Sequence, residues 1–109
     1  MVKSYLSFSA TVILQAVANG YLYGFDIIDM TGLPGGTVYP ALRRLEDMGY
    51  AGSKWEKPQI AQRELRPPRK YYEITEDGET ALAEAVRRYR LLDQKQLRRP
   101  QSKPSRERA

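Results

Sequence analysis

The chain's 109 residues, 41% hydrophobic and 28% charged, suffice for one compact core plus an accessory helix and leave no space for a second, catalytic domain. Neither cysteine nor histidine is present, which excludes disulfides, thiolate nucleophiles, and the commonest metal ligand and general base; the remaining carboxylates, Lys and Tyr show no site-like spacing, so no enzyme, metal or cofactor is expected. No apolar run approaches the roughly 20 residues that span a bilayer, and the N-terminus lacks the basic-then-apolar layout of a signal peptide, so a cytoplasmic protein without membrane contact is expected, whose net charge of +5 suits a polyanionic partner.

Ser7 or Ser9 can cap a first helix in which Leu6, Ala10, Ile13, Leu14 and Val17 recur at three- and four-residue steps, and Asn19-Gly20 closes it. A second helix reads from about Tyr23 to Thr31, with Tyr23, Ile27 and Met30 inward, Asp26 and Asp29 outward, and Gly32 as its stop. The stretch from Thr31 to Gly36 is a tight connection rich in glycine. A third helix follows from about Thr37 to Met48, where Val38, Ala41, Leu42, Leu45 and Met48 form a core-facing stripe. Pro40 places the start of that helix close to Gly36. Opposite the stripe lie Gly36, Pro40, Arg43 and Asp47, flanked by Tyr39 and Arg44.

Residues 50–56 and 69–74 read as the strands of a hairpin with a long polar loop between them. Thr75 caps a final helix with Glu76, Asp77 and Glu79 in its first turn and Arg87, Arg88 and Arg90 farther along, matching the helix dipole. Leu82, Ala85, Tyr89 and Leu92, with Val86 beside them, form an apolar stripe on a helix longer than a small core can cover. It is the expected homodimer contact. Residues 100–109 lack apolar content and read as disordered.

This order of elements predicts a mainly α fold with a small β-hairpin, a winged helix-turn-helix over residues 1–75. A dimerisation helix over 76–98 and a disordered basic tail over 99–109 complete it. In a helix-turn-helix the second helix of the motif enters the major groove, and Arg43 and Arg44 have the reach to pair with guanine or hold phosphate. Residues 54–72 carry six basic against two acidic side chains and residues 95–109 six against one, whereas residues 1–53 carry three against four. The wing residues Lys57, Arg63, Arg66, Arg69 and Lys70 would therefore lie along the DNA backbone or minor groove and supply affinity. Trp55, Tyr71 and Tyr72 are expected to fill or cover the core. The competing reading is a winged-helix module that docks onto proteins without sequence-specific DNA binding.

Four segments taken together, Leu22 to Ile28, Gly36 to Tyr50, Trp55-Glu56 and Pro68 to Gly78, resemble the PadR family of transcriptional regulators, in particular its small members with one C-terminal dimerisation helix. The resemblance spans roughly residues 5–92. It implies a dimeric repressor of operator DNA, released by a small aromatic or drug-like effector, with Thr37, Tyr39 and Arg43 as DNA-contacting positions. Two features depart from the family pattern. The wing loop from Lys57 to Pro67 is longer and poorer in glycine, and the final helix carries no Trp, leaving Tyr89 as the aromatic side chain for an effector.

Overall fold

A computed structural model describes residues 5–92. Helix α1 (Phe8–Ala18) starts where the Ser7 hydroxyl accepts the Ala10 N–H at 3.1 Å, and it ends at Asn19 and Gly20, whose φ is +100°. The cap predicted at Ser7 or Ser9 is thus Ser7. Helix α2 (Gly24–Thr31) is stopped by the left-handed Gly32. Its inward residues are Gly24, Ile27 and Ile28, and Met30 is exposed. The reason is angular: on a helix this short, positions three and four apart share a face, and Met30 falls outside the arc defined by Gly24, Ile27 and Ile28.

Helix α3 (Gly35–Asp47) begins earlier than expected and contains Pro40. The ring removes the N–H that would have bonded the Gly36 carbonyl. Gly36 is exposed, so its carbonyl is open to solvation and the helix continues. Val38, Ala41, Leu42 and Leu45 are buried as their spacing requires, and with Ile13, Leu14 and Ile27 they make the centre of the core.

Strands β1 (Ala51–Trp55) and β2 (Lys70–Ile74) pair antiparallel, from Ala51 opposite Ile74 to Trp55 opposite Lys70. The segment between them is not a plain loop. It contains helix α4 (Pro58–Arg63), with Pro58 in its first turn and Ala61 buried beneath it. The segment before α2 also ties to the hairpin: the Tyr72 N–H donates to the Leu22 carbonyl at 2.7 Å and Tyr23 bridges Tyr71. The wing is therefore anchored on the helix-turn-helix and not a free flap.

Helix α5 (Glu76–Arg88) is capped by Thr75, whose hydroxyl accepts the Gly78 N–H at 3.0 Å and donates to the Gly49 carbonyl at 2.6 Å. The helix expected to run on beyond residue 90 stops at Arg88. Tyr89 leaves helical geometry, a short 3-10 turn follows over Arg90–Leu92, and the Gln15 amide donates to the Leu92 carbonyl at 3.3 Å. Residues 93–98 of the expected dimerisation helix and the basic tail over 99–109 lie outside the described residues.

Candidate nucleic-acid interface

The outward face of α3 carries Arg43 and Arg44, both exposed and without a hydrogen bond or ion pair among the described residues. Thr37 stands half-buried in the first turn, and no side chain caps that end of the helix. Two unpaired guanidiniums on a helix whose other face is locked into the core make a rigid, cationic presentation surface.

Tyr39 is 43% exposed, and its ring lies directly against Gly24 of α2. A methyl group built on Gly24 would stand 2.6 Å from the Tyr39 Cζ, closer than atoms tolerate. Gly24 is therefore the seat of the Tyr39 ring, which explains a glycine at a helical position where alanine is otherwise favoured.

Between α3 and the wing runs a cleft of about 520 Å³. Tyr23, Phe25, Tyr39, Trp55 and Tyr72 give it aromatic walls, and Arg43, Arg69 and Lys70 give it positive charge. Phe25 and Trp55 are 74% and 63% exposed. Trp55, expected to cover the core, instead faces outward near the wing strand's end. Tyr72 does enter the core, and burial, with Glu46 and Tyr39 nearby, raises its pKa above the ordinary phenol value.

The expected wing cations divide into two groups. Arg63 and Lys57 are exposed and unpaired among the described residues. Arg66 is not a free cation, which corrects the expectation for it: both its terminal nitrogens donate to the Glu56 carboxylate at 2.7 Å, and its Nε donates to Glu64 at 3.0 Å. The Glu56 side chain is only 5% exposed. It also accepts the Arg69 backbone N–H at 3.1 Å. The Arg66 hydrogen bonds, working against burial and helped by that N–H, hold the Glu56 pKa down at about 2. The pair raises that of Arg66. A carboxylate so committed offsets the Arg66 charge locally, and the pair braces the wing.

Arg69 and Lys70 are intermediate cases. The Arg69 guanidinium stacks over the Tyr23 ring at 4.2 Å, and its pKa is raised first by a hydrogen bond with Tyr71. Lys70 lies 3.6 Å from Glu46, whose other oxygen accepts the Ser53 hydroxyl. Both cations are half-buried on the cleft wall and keep part of their charge directed into it.

The core covers part of the apolar stripe of α5. Ala85 is 1% exposed, and Leu82 and Tyr89 pack against the same core. The Tyr89 hydroxyl donates to the Leu6 carbonyl at 2.9 Å and its ring meets Phe8 edge-on at 5.3 Å. Ala85 and Tyr89 are thus occupied within their own chain. Leu82, Val86 and Leu92 remain half-exposed. Sequence reasoning did not single out Leu65, which is 93% exposed just past the end of α4. The presence of Pro58 was the available signal for that helix, since proline favours a first helical turn.

No helix among the described residues is long and apolar enough to cross a membrane. The model of the transcriptional regulator PadR-like family matches residues 13–84. No curated protein matches the sequence. Among solved structures, a PadR-like transcription factor from Bacteroides fragilis is 29% identical, with a TM-score of 0.61 over 79% of this chain and 84% of that one. A PadR family transcription regulator from Clostridium difficile is 23% identical, with a TM-score of 0.66 over 84% of this chain and 98% of the other. BpsR of Bordetella bronchiseptica, described as regulated in DNA binding by 6-hydroxynicotinic acid, is 18% identical, with a TM-score of 0.65 over 89% and 69% of the two chains.

Proposed function

Since the chain belongs to the PadR-like family of transcriptional regulators, a family of transcription factors and not of enzymes, we propose that it is a cytoplasmic repressor that binds operator DNA as a homodimer. The observation that carries this reading is the free Arg43 and Arg44 on α3, beside an aromatic and cationic cleft that continues onto the wing. In this reading α3 enters the major groove with Thr37, Tyr39, Arg43 and Arg44, and the wing follows the backbone with Arg63, Arg69 and Lys70. Two-fold pairing through the half-exposed Leu82 and Val86 of α5, together with the chain beyond it, would set two α3 helices one helical turn of DNA apart.

The test is titration of duplex DNA from upstream of the protein's own gene. Arg43→Ala should weaken binding by about 1–3 kcal/mol and relax the preference at one base pair per half-site. Equal weakening on operator and random duplex would make Arg43 a phosphate holder. Unchanged affinity for every duplex would take Arg43 out of the contact, and a wild type that binds no duplex would favour the protein-docking module.

Release by a small aromatic effector is supported by the same cleft, whose volume lies in the range that encloses small ligands. BpsR offers a parallel in its regulation by 6-hydroxynicotinic acid. An occupant held between Tyr39 and Trp55 would cover the surface assigned to DNA, so the two would exclude each other.

A further inference from the structure

Leu65 combines two unfavourable features. Its φ is +57°, in the left-handed region that penalises any side chain with a Cβ, and it is the only such residue besides glycine among the described residues. It is also 93% exposed, so no packing offsets that cost.

The local geometry explains how the conformation is imposed. At the end of α4 the Arg66 N–H donates to the Ala61 carbonyl and the Leu65 N–H to the Gln62 carbonyl, each at 3.1 Å. This is the Schellman closure of a helix, in which the left-handed position is ordinarily glycine. Its base is stiff on both sides: Ala61 is buried, and Arg66 is clamped to the nearly buried Glu56 carboxylate. Pro67 and Pro68 follow. A leucine is therefore held out into solvent, in a conformation it resists, on a platform that does not give.

We infer that Leu65 is an apolar wedge on the wing that enters the minor groove of DNA, where leucine side chains can press between base steps and bend the duplex. The inference rests on the DNA-binding reading above. The unpaired, exposed Arg63, two residues before it, and Lys57, at the start of α4, favour a polyanion over an apolar protein surface as the partner. Rigid presentation matters because a wedge fixed before binding loses little conformational freedom when it inserts.

Leu65→Gly and Leu65→Asn test the inference, since both residues accept the left-handed conformation and neither changes charge. Both variants should melt at or above the wild-type temperature, yet bind the upstream duplex about tenfold more weakly. The slope of log affinity against log salt should stay unchanged, whereas Arg63→Ala should reduce it by about one. Hydroxyl-radical protection of the minor groove, present with wild type, should vanish with Leu65→Gly. Unchanged affinity or persistent protection in the Leu65 variants, while Arg43→Ala still weakens binding, overturns the wedge and leaves the DNA-binding reading standing. A lowered melting temperature overturns it too, by giving Leu65 a structural role. If the wild type binds no duplex, both fall together.

Discussion

Gly24→Ala separates the requirement for a helix former from the requirement for a seat under Tyr39. The added methyl would lie 2.6 Å from the Tyr39 Cζ, so the ring must swing away. Because that ring is 43% exposed, its displacement forfeits only part of an aromatic side chain's burial, about 1 kcal/mol. The substitution meanwhile gains about 0.5–1 kcal/mol from reduced freedom of the unfolded chain, as Gly24 has no left-handed φ to protect. The two effects nearly cancel, and urea denaturation should place Gly24→Ala within about 0.5 kcal/mol of wild type. In a Tyr39→Ala background the clash is absent and the same substitution should be stabilising, giving a coupling of about 1 kcal/mol in the double-mutant cycle. DNA affinity should respond differently. Gly24→Ala should weaken operator binding about as much as Tyr39→Ala does, because both empty the same place beside Arg43. Equal stabilisation by Gly24→Ala in both backgrounds, or intact DNA binding by the single variant, would refute the assignment of Gly24 as the seat of Tyr39.

Gly78→Ala should be far more harmful, because its Cβ would meet the Tyr50 backbone carbonyl, with the Ile74 side chain 2.9 Å away; a loss of about 2–4 kcal/mol in thermal or chemical unfolding is expected, since backbone cannot step aside as a ring can. The Glu56 brace predicts an acid-sensitive wing. With the folded pKa at about 2, below the ordinary value of 4.5, its contribution is complete above about pH 4.5 and is lost as pH falls toward about 2; the protection of the amides of residues 56–66 from exchange, relative to the unfolded-chain rate at the same pH, should fall over that interval in wild type and be low already at neutral pH in Glu56→Gln. Replacing Leu82 and Val86 together by Asp should yield monomers in sedimentation that bind DNA weakly, and persistent dimers would move the dimer contact elsewhere.

The amphipathic periods of α1 and α3, the cap that starts α1 and the glycine that stops α2 were legible in the chain alone. Ser7 and Gly32 act through neighbours within four residues, and Val38, Ala41, Leu42 and Leu45 need only helical spacing to find one face. The hairpin and the Thr75 cap belong to the same class, as does the outward direction of Arg43. Helix α4 escaped notice because six residues are too few to display a period. Contacts between distant positions decided the remainder. Arg66 resembles a DNA-binding cation until Glu56, ten residues away, is brought against it. Ala85 and Tyr89 resemble a dimer stripe until α1 folds across them and Leu6 accepts the Tyr89 hydroxyl. Local propensities act over a few residues, so they are written in the order of the chain. Whether a charge is free or an apolar face is covered depends on which segments meet in three dimensions, and for Arg66, Ala85 and Tyr89 only the tertiary structure decided it.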